Sequence, residues 1–244
     1  MTAESNPAEN VTHSRSSTTA EEPRSVAASE ISEDQALALL QRPEVTAETL
    51  VLLARNPSVV SSRKVAMALA VHPRTPRHVS VPMLRRLFTF DLMRVALTPA
   101  VAADIKRIAE EQLINRLESL SQGERTSLAR RASGRVAAAL LRDTDPRILS
   151  TALDNAHLVE VYIVAALMKP DASESLFKAV SGHPKWSLRR EVQIALLRSE
   201  KTPLERAKEL AQNFSDEFLR GIVPESRRAA VIQATNPSTT GASE

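Results

Sequence analysis

The sequence predicts an all-α protein built as an array of short stacked helices, and three observations predict it. Between Leu149 and Leu210 an apolar, helix-like run and a polar break recur, with breaks at Asn155-Ala156-His157, Lys169-Pro170-Asp171, His183-Pro184 and Thr202-Pro203. An echo spans Leu50 to Val79; Pro57 to Pro73 is a step of 16 residues, Pro170 to Pro184 a step of 14, and each second proline follows a histidine. Self-similarity on this scale marks helical units that bury their apolar faces on one another. Helix-start signals recur along the chain, and no stretch sustains the period-two alternation of a strand. Five glycines are too few for a set of hairpin turns.

Taken in order, residues 1–31 are Ser, Thr, Glu, Ala and Pro with almost no large apolar side chains, so this segment is expected to be disordered. Order begins at Ser32, where Ser32-Glu33-Asp34-Gln35 has the spacing of a capping box. That helix carries Leu37, Leu39 and Leu40 towards Pro43. Thr46 starts the next, AETLVLLARN, which Pro57 stops, and SSRKVAMALAVH then runs to Pro73. Thr75-Pro76, Thr98-Pro99 and Thr202-Pro203 read as helix starts: threonine accepts free N–H groups, and proline at the first helical position loses no donor. Asp145-Pro146 does the same with a carboxylate. Ser121 to Glu124 and Thr202 to Glu205 are further capping boxes.

Val101, Ile105, Ile108, Leu113, Leu117 and Leu120 are spaced by three to five residues, which makes the stretch from Ala100 to Leu120 the longest expected helix. SLARRAS, RVAAALLRD and RILSTALDN return to short units. The array is expected to occupy 32–222, about a dozen helices, with a short helix after Pro224 and a disordered end completing 223–244.

Units such as LARNPSVVSSRKVAMALAVHPRTPRHV and LLRDTDPRILSTALDNAHL resemble the leucine-rich repeat variant and related HEAT-like helical repeats. The resemblance runs from Leu37 to Leu210 and degenerates between Arg85 and Ser121. It implies a right-handed α-solenoid used as a binding scaffold, in a group whose fold assigns no reaction. Some such proteins carry an iron–sulfur cluster on a cysteine-bearing segment; this chain has no cysteine, so that cofactor is not carried over.

Composition narrows the function classes. Without cysteine there are no disulfides, thiolate metal sites or cysteine nucleophiles. No stretch approaches the roughly 20 apolar residues of a membrane span, and the start lacks a signal-peptide pattern, so a soluble cytoplasmic protein is expected. Residues 1–34 hold seven acids and two bases, a balance of −5; with +3 overall, the remainder is +8. A basic body favours acidic partners.

No Gly-rich phosphate cradle, nucleophile elbow or zinc-protease motif occurs. His72 and His78 lack a third metal ligand, and each histidine before proline reads as a cation near a negative helix end. Asp143 to Pro146 lacks the glycine and distal glutamate of a calcium loop. One tryptophan and one tyrosine are too few for a base-stacking platform. No cofactor or metal is expected.

What stands out is a series of arginine pairs, Arg85-Arg86, Arg130-Arg131, Arg189-Arg190 and Arg227-Arg228. Equivalent positions of stacked units line up, so one arginine of each pair could join a stripe facing phosphates or an acidic partner. Trp186, beside Lys185, reads either as a groove anchor or as a core filler on a helix with Leu188, Val192 and Leu196. The leading expectation is a non-enzymatic scaffold that binds a protein through a curved, mildly basic surface, with Arg85, Arg86, Arg130, Arg131, Lys185, Trp186, Arg189 and Arg190 as contact residues. The alternative is a nucleic-acid-binding solenoid that uses the arginine stripe on phosphates.

Overall fold

The computed structural model describes residues 31–42 and 44–235. The expectations for residues 1–30, Pro43 and residues 236–244 lie outside the described residues. Sixteen α-helices follow one another there, with no strand. The first eight are α1 (Glu33–Leu40), α2 (Ala47–Arg55), α3 (Pro57–Ser61), α4 (Arg63–Val71), α5 (Arg77–Arg86), α6 (Thr89–Leu97), α7 (Ala103–Arg116) and α8 (Gln122–Arg131). Then come α9 (Gly134–Leu140), α10 (Pro146–Leu153), α11 (Glu160–Leu167), α12 (Glu174–Gly182), α13 (Arg190–Leu197), α14 (Leu204–Ala211), α15 (Asp216–Ile222) and α16 (Glu225–Gln233). At 14 residues α7 is the longest of them, and a 3-10 turn over Leu117–Ser119 extends it.

Local chemistry starts many of these helices. Ser32 and Ser121 form complete capping boxes with Gln35 and Glu124. Thr46, Ser62, Ser173 and Ser215 each accept the amide three residues on. The prolines share one device. Proline pushes the residue before it into an extended conformation and offers no N–H, so that residue's side chain turns to the amide two positions on. Asn56 Oδ1 takes Ser58 N–H at 3.1 Å and Asp145 Oδ1 takes Arg147 N–H at 2.8 Å. His72 Nδ1 takes Arg74 N–H and His183 Nδ1 takes Lys185 N–H, both at 3.2 Å.

Two readings of this punctuation are corrected. His72 and His183 close α4 and α12 by accepting an amide through Nδ1, and for His72 the cationic reading is corrected. Burial first, and then the charge of Arg74, holds the His72 imidazole below its usual pKa. The threonines before proline start no helix. Pro76 and Pro203 are themselves the residues that precede α5 and α14, with no side-chain cap, and α7 begins only at Ala103. Threonine therefore sits one residue too far upstream to reach the free amides. Thr98 Oγ1 donates to Arg94 O at 2.7 Å and Thr202 Oγ1 to Leu196 O at 2.6 Å, so these hydroxyls end the preceding helix instead. The capping box expected at Thr202 to Glu205 does not form.

The helices pack in alternation. Helices α5, α7, α9, α11 and α13 touch in succession, and so do α8, α10 and α12; α4 meets α5 and α6, while α14 meets α13 and α16. Their inward Leu, Val, Ile and Ala side chains form one continuous buried set from Ala36 to Val231. Cations reach back across 27 to 31 residues to loop carbonyls: Arg74 to Val45 O, Arg116 to Leu87 O and Arg85 O, Lys201 to Pro170 O and Ala172 O, and Arg227 to Ser199 O and Glu200 O. These ties span about twice the step between prolines. Arg227 ties α16, the short helix after Pro224, to the preceding α13–α14 turn. On the N-terminal side Arg63 of α4 grips the buried Asp91 of α6 through Nε–Oδ2 at 2.6 Å and Nη2–Oδ1 at 2.8 Å. No helix among the described residues is long and apolar enough to cross a membrane.

Candidate functional site

Three alternate turns, α8–α9, α10–α11 and α12–α13, are stitched together by side-chain hydrogen bonds. The α8–α9 turn exposes two orphan carbonyls, and Asn155, in the α10–α11 turn, donates Nδ2–H to both: Ala129 O at 2.8 Å and Ala132 O at 3.1 Å. Its Oδ1 accepts His157 N–H at 2.7 Å, and the residue is 1% exposed. From the α12–α13 turn, Trp186 Nε1–H donates to Leu153 O at 2.8 Å, and His183 Nε2 lies 3.1 Å from Asp154 Oδ1. Gly134, the first residue of α9, completes the contact. A Cβ there would lie 2.2 Å from His157 O, so only glycine admits this approach.

The outer edge of these turns is both basic and apolar. Arg130 and Arg131 end α8, exposed; Lys185, Arg189 and Arg190 surround the start of α13, also exposed. Val159 is 51% exposed, Val161 73% and Leu188 76%, at the N-terminal ends of α11 and α13, which pack on each other. Lys185 Nζ lies 4.0 Å from the Trp186 ring centre, and the Arg190 guanidinium stands 5.1 Å from the Phe214 ring. The N-terminal ends of α9, α11 and α13 carry no side-chain cap, unlike α10 and α12, which Asp145 and Ser173 cap.

Across the outer surface of α9 and α11 runs an open cleft of about 590 Å³. Its floor is Ile114, Ala138, Ala139, Tyr162, Ala165 and Ala166, and its charged rim includes Arg125, Arg135, Arg142, Lys169 and Glu118. Most of the rim is already paired: Arg125 with Asp143, Arg135 with Glu110 and Glu111, and Arg142 with Asp171. Lys169 has no such partner among the described residues. On α11 the exposed Val161, Ala165 and Met168 follow the spacing i, i+4, i+7 and extend the apolar floor along one helical face.

The residues singled out from sequence divide in two. Arg130 and Arg131 lie at the α8–α9 turn and Lys185, Arg189 and Arg190 at the α12–α13 turn, both stitched to the α10–α11 turn. Arg85 and Arg86 lie at neither: they close α5, at the end where Arg116 of α7 binds Arg85 O and Leu87 O. Arg227 and Arg228 bond loop carbonyls of their own neighbourhood. Trp186 is 2% exposed, so its indole is core material and only its neighbours reach solvent. Leu188, expected in the core on the same helix, is instead at the surface. The chain from His183 to Arg189 winds as a turn, with Ser187 N–H on His183 O, and α13 starts only at Arg190.

Val159, Val161, Ala165, Lys169 and Asn155 were not read from the sequence as site residues. An apolar row at i, i+4, i+7 looks the same whether a neighbour covers it or not. Among the described residues no group of three or more His, Asp or Glu is placed to hold a metal ion. No protein-family model, curated protein or solved structure matches the chain.

Proposed function

We propose that this chain is a non-enzymatic helical-repeat scaffold, an α-solenoid that binds a protein partner on the face formed by α9, α11 and α13. The alternating helix contacts and the ties at 27 to 31 residues support the solenoid reading. One observation carries the binding reading: Val161, Ala165 and Met168 form an uncovered apolar row on α11 beside a cleft floored by alanines. Burying such a row on a partner helix contributes roughly 25 cal/mol per Å² of apolar surface before the costs of association. Small residues beneath it leave room for larger partner side chains.

The nucleic-acid reading needs the arginine pairs to share one position in each unit. Arg85-Arg86 and Arg130-Arg131 end their helices, while Arg189-Arg190 and Arg227-Arg228 lie at helix starts, and the last pair is engaged internally. A protein partner is therefore the reading adopted.

The test places a photo-crosslinking amino acid at Ala165, identifies the protein it captures, and titrates that protein, purified, against the wild-type chain and Ala165→Glu. Micromolar or tighter binding that Ala165→Glu weakens at least tenfold is the expected result. Capture of nucleic acid instead, or a captured protein whose binding ignores Ala165→Glu, overturns the assignment.

A further inference from the structure

We propose that the three stitched turns, α8–α9, α10–α11 and α12–α13, form a docking edge for an acidic peptide segment of a partner that carries large apolar residues. This rests on the scaffold reading above and names the chemistry of the partner. The edge offers an apolar strip, Val159, Val161 and Leu188, at the N-terminal ends of two helices in contact. Cations rim it on both sides: Arg130 and Arg131 from the α8–α9 turn, and Lys185, Arg189 and Arg190 from the α12–α13 turn. Against those five cations, the α10–α11 turn and the first residues of α11 and α13 carry three carboxylates, Asp154, Glu160 and Glu191, and Asp154 already holds His183. The side chains of Arg130, Arg131 and Arg189 make no hydrogen bond or ion pair among the described residues. Their charge is therefore available to a partner.

Charge and apolarity together select the occupant. An acidic peptide with leucine-like or aromatic residues satisfies both halves of the edge, whereas nucleic acid supplies the charge but nothing to cover Val159, Val161 and Leu188. The stitching also matters. Asn155, Trp186 and His183 hold the two cationic rims at a fixed separation across the α10–α11 turn, so little ordering remains to be done when a peptide docks.

The experiment selects a displayed library of random 15-residue peptides on the purified chain, then titrates the enriched peptides at two salt concentrations. Enriched peptides are expected to be net acidic, to carry at least two large apolar residues and to bind more weakly at high salt. The quadruple change Arg130→Glu/Arg131→Glu/Lys185→Glu/Arg189→Glu is expected to weaken them by about tenfold or more, since reversal turns attraction into repulsion. Arg85→Glu/Arg86→Glu, at the other end of the helices, is expected to leave them unchanged. Thermal melts of both variants confirm that they fold.

Enrichment of neutral or basic peptides overturns the proposal, as does equal loss in the Arg85/Arg86 variant. Peptides that ignore the quadruple change but are lost in Ala165→Glu overturn the edge and leave the scaffold reading standing. No enrichment on any variant overturns both. Duplex DNA that binds wild type and loses affinity in the quadruple variant, with no peptide doing so, assigns the edge to nucleic acid instead.

Discussion

Replacing Asn155 with leucine removes the polar atoms that hold two turns together while keeping the same branched arrangement of four side-chain heavy atoms. Two carbonyl oxygens, Ala129 O and Ala132 O, lose their donor, and His157 N–H loses its acceptor. Ala129 and Ala132 are fully buried, where water does not readily replace the lost donor, while the bond to His157 is part-buried. A hydrogen bond contributes about 1 kcal/mol net, and a buried group left unpaired costs about 1–3 kcal/mol. Because carbonyls relax more readily than a rigid N–H, the expected loss is about 3–4 kcal/mol. For a protein of this size each kcal/mol moves Tm by about 2–4 °C, so a fall of roughly 10 °C is expected.

The assay is urea unfolding at 25 °C followed by helical circular dichroism and by the fluorescence of Trp186, the single tryptophan. Native-state hydrogen exchange should also quicken around residues 130–134 and 155–159 and not around α4. Asn155→Asp keeps the acceptor for His157 but aims a carboxylate at two carbonyl oxygens, so at neutral pH it should cost at least as much as leucine. A loss below about 0.5 kcal/mol for Asn155→Leu, typical of a surface change, refutes the stitching argument.

Gly134→Ala forces the backbone at His157 to retreat from a Cβ–O separation of 2.2 Å and is expected to cost about 1–3 kcal/mol in the same assay, whereas Gly123→Ala meets nothing within 4 Å and should not destabilise. Trp186→Phe loses volume and the bond to Leu153 O and should cost about 2–4 kcal/mol; wild-type emission should be blue-shifted and resist iodide quenching, and free quenching would remove Trp186 from the core. Because the folded-state pKa of His72 is lowered from 6.5, the unfolded chain binds its proton first. The stability contribution of His72 is therefore full above pH 6.5 and is lost as pH falls through the lowered folded-state value. His72→Asn, which can accept Arg74 N–H as Asn56 accepts Ser58 N–H, should flatten that part of the stability–pH curve; an unchanged slope would assign it to other groups.

Much of the local structure was legible because its causes are local. Ser32, Thr46, Ser121 and Asp145 act on amides two or three residues away, so the sequence contains both partners of each hydrogen bond within one glance. The helical fold class followed from those starts and from apolar spacing. The threonines before proline were misread because a shift of one position, proline before the first helical residue rather than on it, carries the hydroxyl out of reach, and propensity does not resolve a single residue.

The site was less legible, since its causes lie 23 to 33 residues apart. Nothing near Asn155 announces that its amide serves Ala129 and Ala132, and nothing near Trp186 announces Leu153. By itself the sequence determined where the helices started by Ser32, Thr46, Ser121 and Asp145 begin, where apolar side chains recur and how much charge the body carries. Tertiary packing alone decided that Arg130-Arg131 and Arg189-Arg190 share an edge from which Arg85-Arg86 are absent, that Trp186 is covered, and that Leu188 and Val161 are not. The physical reason is that burial and charge pairing are properties of neighbours, and here the decisive partners lie 23 to 33 residues away along the chain.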